Sequence, residues 1–128
     1  MCNLDASLFA LFAATGGNVI AIKAVNKQCS TYNGGTTPTS DKLWLLSCSE
    51  IWSSNSSYSL YCNATEGACY AYYNKSGVSR VKNSTNWWLR SPNTNNSSYF
   101  CHVIDDGRCS HNNASSSSRV AVAPGFTI

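Results

Sequence analysis

Charge is the scarcest property of this chain: Asp, Glu, Lys and Arg make up 12% of its residues, about half the usual share. Nine Lys and Arg against six Asp and Glu leave a net charge of +3, and the basic residues stand singly. Phosphate affinity needs clustered cations, so neither nucleic acid nor an acidic membrane is an expected partner. Long apolar runs are missing too. None approaches the roughly 20 residues that span a bilayer. Leu8 to Ala14 lacks a cationic flank, which makes it a poor signal peptide. The seven cysteines include no C-x-x-C pair, which weakens a structural zinc reading. The acids Asp5, Asp41, Glu50, Glu66, Asp105 and Asp106 are spread out, without the converging oxygens that calcium needs. No nucleophile, base and acid assemble into a set. No metal, no cofactor and no enzymatic activity are therefore expected.

The most informative shortage lies between Asn93 and Ser118, where Lys, Glu, Gln, Met and Trp are all absent. The residues that do occur are Asn, Thr, Ser, Tyr, Phe, Cys, His, Val, Ile, Asp, Gly, Arg and Ala. Each can be reached from an Asn codon (adenine, adenine, pyrimidine) by changing only its adenines. Residues 53 to 65 (SSNSSYSLYCNAT) are drawn almost entirely from the same set. Two explanations compete. One is a small-polar loop by chance; the other is a surface whose codons are rewritten at adenines to vary what it binds.

At 128 residues the chain is expected to be a single domain spanning 1–128, or the C-terminal part of a longer protein. Residues 5 to 27 read as helical: Asp5 can cap a first turn, Leu8, Phe9, Leu11 and Phe12 give an apolar face, and Gly16-Gly17 kinks it. Cys29 to Ser40 reads as a loop. Lys42 to Ser47, Ala68 to Asn74, Trp87 to Pro92, Tyr99 to Ile104 and Val120 to Ile128 read as strands. Glu50 to Trp52 reads as a turn or short helical piece. Asp106-Gly107 signals a hairpin turn. With a two-residue turn, His102 faces His111, and Cys101 points away from both, which argues against zinc at these Cys and His residues. Strand alternation sends either Trp87 or Trp88 inward. The order of elements predicts an α+β fold with small antiparallel sheets.

Three segments carry a resemblance: W-W-L-R-S-P at Trp87 to Pro92, Asp106-Gly107, and the ending V-A-P-G-F-x-I. D-K-L-W-L-L-S at Asp41 to Ser47 and I-K-x-V-N-K at Ile22 to Lys27, expected as a helix end, extend it. Together they resemble a bacterial domain family of mostly unknown function. That family looks like the C-type lectin fold, in the branch that includes formylglycine-generating enzymes and the variable proteins of diversity-generating retroelements. In such variable proteins an error-prone reverse transcriptase randomises a template at adenines, and the copy replaces the 3′ end of the gene. The resemblance implies a lectin-type scaffold with a variable face, followed by an unvaried terminal strand.

The expected function is target recognition by a bacterial cell-surface, secreted or phage-borne domain, with a protein or glycan as partner and oligomerisation as a source of avidity. The candidate ligand-binding residues are Asn95, Ser97, Tyr99, His102, Ile104, Asp105, Arg108, Ser110, His111 and Asn112, with Tyr58 and Tyr61 beside them. Tyr offers contact area with few torsions to freeze, and Ser and Asn offer adaptable hydrogen bonds. The alternative is a fixed-specificity carbohydrate-binding or adhesin module of the same fold. A third reading, a degenerate thiol-dependent relative of the formylglycine-generating enzymes, has no matching active-site motif here. Arg90 is expected as a buried framework residue paired with Glu50 or Asp41, ahead of a role in gripping a carboxylate ligand.

Overall fold

The computed structural model describes residues 23–62, 65–115 and 119–127. Most of the helix expected over residues 5 to 27 lies outside them. Its end does not: Val25–Ser30 is a strand, β1, paired antiparallel with β2, Thr36–Asp41. Lys27 and Cys29 point inward and Asn26 and Gln28 outward, a period of two that a helix does not have. An inward lysine hides that alternation in the sequence. The stretch read as a loop, Cys29 to Ser40, is thus largely the turn and two arms of this hairpin.

The α+β expectation is corrected. The described residues form three small sheets and one α-helix of four residues, α1, Cys48–Ile51. The described residues are therefore β-rich. Short β3, Trp44–Leu45, pairs with β7, Pro124–Gly125. The long terminal strand expected from Val120 onward shrinks to this bridge, with Ala121 and Thr127 making isolated contacts to Trp87 and Lys23. Ala68 to Asn74 is not a strand but a series of turns, closed by the Asn74 amide on the Tyr70 carbonyl.

The third sheet is a meander of β4, Trp87–Pro92, β5, Tyr99–Val103, and β6, Cys109–Asn113. Trp87 pairs with Val103 and Trp88 with His102, then an irregularity shifts the register before Pro92 meets Phe100. The kink lets Leu89, Arg90 and Ser91 all be buried in succession, which a flat strand would forbid. Trp87 is the inward tryptophan of its pair. It joins Leu89, Val103, Ile51, Trp52 and Tyr58 in the core, each full burial being worth about 1.5–3 kcal/mol.

Helix α1 is short, so its ends must be satisfied by side chains. Ser47 accepts from the Glu50 amide at 3.2 Å, and Glu50 accepts from the Ser47 amide at 3.0 Å, a reciprocal capping box. The same Glu50 carboxylate takes the Lys27 ammonium at 2.9 Å and the Arg90 guanidinium at 2.6 Å. Arg90 is buried and also donates to the carbonyls of Gln28, Leu45 and Glu66. Its framework role places one planar cation between β1, β3 and α1. Burial would push the Glu50 carboxyl up, but Arg90, Lys27 and the Ser47 amide outweigh it and hold it below the usual range.

Candidate functional site

The hairpin of β5 and β6 dominates the site, and its tip sets its geometry. Ile104 donates its amide to the Arg108 carbonyl at 3.0 Å, and Gly107 donates to the Ile104 carbonyl at 2.9 Å. The loop is therefore Asp105-Asp106-Gly107, three residues long, with Gly107 at φ +89°. A left-handed glycine in third place is the usual closure of such loops. The two-residue turn expected from Asp106-Gly107 is corrected, and one extra residue moves every pairing. Cys101 now faces His111, His102 faces Ser110, and Val103 faces Cys109.

Directly opposed residues share a face. One face carries Tyr99, Cys101, Val103, Cys109 and His111; the other carries Phe100, His102, Ser110 and Asn112. On the first face Cys101 and Val103 are wholly buried and Cys109 nearly so, while Tyr99 and His111 emerge to partial exposure. The His111 ring lies 4.8 Å from that of Tyr61 and 5.5 Å from that of Tyr99. Its Nδ1 is buried without a hydrogen-bond partner. On the second face His102 packs edge-on against Trp88 at 5.6 Å. Burial, with His111 nearby, depresses its pKa.

A groove of about 500 Å³ opens where the hairpin tip meets the loop after α1. Leu60 and Tyr61 line one side; Ile104, Arg108 and Ser110 line the other; Trp52 and Cys109 lie among them. Leu60 is 77% exposed at the groove's edge. Arg108 pairs with Asp106 at 2.5 Å in open solvent. That bond holds the Asp106 carboxyl below its ordinary range and the guanidinium above its own.

Of the residues singled out by sequence, the groove brings together Tyr61, Ile104, Arg108 and Ser110, with Tyr99 and His111 alongside through the ring contacts. Asn95 and Ser97 are exposed on the loop between β4 and β5, and Asp105 is exposed at the tip with its amide on Asn86. Asn112 is half-buried on the opposite face. Two candidates lie inside. Tyr58 is buried against Trp52, and His102 is buried beside Trp88. Sequence reasoning missed Trp52, Gly107 and Cys109 as groove residues, whereas Ser57 and Leu60 belong to the 53 to 63 loop expected beside the hairpin.

Beneath the groove floor, the thiols of Cys48, Cys101 and Cys109 lie within 4.8 Å of one another, all buried. The Cys48 and Cys109 sulfurs are 4.0 Å apart, far beyond a disulfide bond. Cys62 is also buried, close to this group but outside it. Bonds from Cys101 and Cys48 pull the Cys109 thiol down to about 5, whereas burial pushes Cys48 up. Cys29 stands apart and is disulfide-bonded. The facing argument against zinc fails with the two-residue turn on which it rested, since Cys101 and His111 share a face.

Neither a curated protein nor a solved structure matches this chain. A family model does: residues 9–128 match it, and the chain accordingly belongs to the family described as "Domain of unknown function (DUF6273)".

Proposed function

We propose that this chain is a non-catalytic target-recognition domain of a bacterial or phage surface, whose hairpin and neighbouring loop are varied by adenine-directed rewriting. The observation that carries the reading is a convergence. Residues 53–65 and 93–118, far apart in sequence and alike in composition, supply nearly all of one groove. Ser57, Leu60 and Tyr61 come from the first; Ile104, Gly107, Arg108, Cys109 and Ser110 come from the second. The groove mixes aromatic, aliphatic and cationic groups on a fixed sheet, the composition of an adaptable binding surface. The His111 Nδ1, buried and without a partner beside Tyr61, supports a ligand that brings its own donor or acceptor. The two histidines sit among aromatic rings, in surroundings suited to packing.

The partner is a protein or glycan on another surface. The test has two arms. Encoding DNA should carry a nearby imperfect repeat that differs from codons 93–118 only at adenines, alongside a reverse transcriptase gene. A glycan array and a panel of surface proteins should yield a ligand whose binding falls about 30-fold with Tyr61→Ala, the size of an aromatic hot spot, in protein that still melts cooperatively. A ligand whose affinity ignores both Tyr61→Ala and Arg108→Ala defeats the assignment of the groove. A hairpin identical across many copies of the gene, with no such repeat, favours fixed specificity.

A further inference from the structure

Three of the five free thiols among the described residues gather at one point in the core, and a fourth, Cys62, is buried nearby. They arrive from separate elements: Cys48 from the first residue of α1, Cys62 from the loop after it, Cys101 from β5 and Cys109 from β6. We propose that Cys48, Cys62, Cys101 and Cys109 form a structural tetrathiolate site for a thiophilic divalent cation, with zinc the best fit. The geometry carries the proposal. Tetrahedral zinc with bonds of about 2.3 Å to sulfur sets neighbouring sulfurs about 3.8 Å apart. Cys48 and Cys109 already stand at 4.0 Å. Cys101 completes a triangle with every edge within 4.8 Å, and Cys62, buried beside it but outside that triangle, is the thiol at hand for the fourth position.

The core gives such a site something to do. Among the described residues the fully buried aliphatic side chains are Leu43, Ile51, Leu89 and Val103, and a small domain gains most from a cross-link that ties distant segments. An ion here ties α1 to both strands of the hairpin. Access runs through the groove, because Cys109, 8% exposed, lies on its lining. Binding is an exchange of protons for metal: each thiol that still carries its proton gives it to the solvent, and no oxidant or reductant takes part. Cys69, half-buried and bonded to the Tyr70 carbonyl, stands outside the cluster and serves as the control.

Reduced, chelator-treated protein titrated with cobalt(II) should develop thiolate-to-cobalt charge-transfer and tetrahedral d–d bands, saturating in a one-to-one complex that zinc bleaches. Zinc should protect the four cluster thiols from a thiol reagent and leave Cys69 reactive. Free zinc at about 100 times its Kd should raise Tm by about 10 °C. Cys69→Ser should behave as wild type, whereas Cys48→Ser and Cys109→Ser should lose the bands. Where a serine variant does not fold, Cys101→Val keeps the core apolar and should melt cooperatively without any zinc response. Absence of cobalt bands in folded wild-type protein, or bands that survive Cys101→Val, overturns the proposal. Groove binding is measured separately with the Tyr61 variant, so the two readings fail independently.

Discussion

Replacing Glu50 by glutamine should remove a large part of this protein's stability while barely changing its shape. The Glu50 carboxylate receives Lys27 and Arg90, whose side chains are 9% and 1% exposed. Glutamine keeps the length and can still accept from the Ser47 amide, so the helix cap survives. The charge does not. Two buried cations are left facing Glu66, whose own carboxyl is pushed toward the neutral form by burial. Removing one partner of a buried ion pair costs about 3–5 kcal/mol, against a typical total of about 5–15 kcal/mol. With unfolding entropy near 2.1 cal/mol/K per residue, the loss corresponds to a Tm drop of about 10–20 °C. Urea unfolding followed by tryptophan fluorescence measures it, since Trp44, Trp52 and Trp87 are buried reporters. Adding Lys27→Met to Glu50→Gln should restore part of the loss, because one unpaired cation leaves with it. A midpoint shift worth less than about 1 kcal/mol would refute the argument that this carboxylate neutralises the cluster.

Two buried carboxyls should put opposite pH limbs on stability. Glu50, with its carboxyl held low, contributes above the unfolded pKa and loses that contribution as pH falls through its folded value; Glu66, with its carboxyl raised by burial against the bonds from Ser91 and Ser30, contributes below the unfolded pKa and loses it as pH rises through its folded value. Glu66→Gln should flatten the alkaline limb alone in a pH series of urea midpoints, and an unchanged limb would contradict the assignment. Gly107→Ala meets only ordinary contacts with Val81 and Arg80, so its cost should be the backbone strain of φ +89°, about 1 kcal/mol by thermal melting. A neutral result there would mean that the tip is not held in this turn. His111→Ala should weaken target binding more than it lowers Tm, because its Nδ1 has no protein partner to lose.

The sequence announces β4 and β5 well, since Trp87 to Pro92 is apolar and closed by proline, and Tyr99 to Val103 alternates. It conceals β1, whose inward position is filled by Lys27 and becomes intelligible only once Glu50, 23 residues away, is seen beneath it. The tyrosines of 68 to 74 imitate a strand, but they serve separate ends. Tyr70 bonds Lys27, and Tyr73 packs under Arg80. Local pattern cannot reveal such long-range uses of a side chain. At the site, Tyr61, Arg108 and Ser110 were readable from composition, whereas the faces of the hairpin hung on a single residue of turn length. Asp-Asp-Gly permits either loop, and only the longer one puts Cys109 on the face of Cys101, while the burial of His102 comes from Trp88 across the sheet.

Shelter along the hairpin comes in a block: Cys101, His102, Val103 and Cys109 are buried, Tyr99, Phe100 and Ser110 to Asn113 are half-open, and Asp105, Asp106 and Arg108 at the tip are exposed. Any process that exchanges residues here meets a tolerance set by that block. A polar substitution at Cys101 or Val103 strikes packed interior, while one at Ser110 or Asn112 meets a partly open surface. Repertoire on this scaffold should therefore be written at the tip, at the start of β5 and along β6 beyond Cys109, with the codons of the buried block held still by the folded state itself.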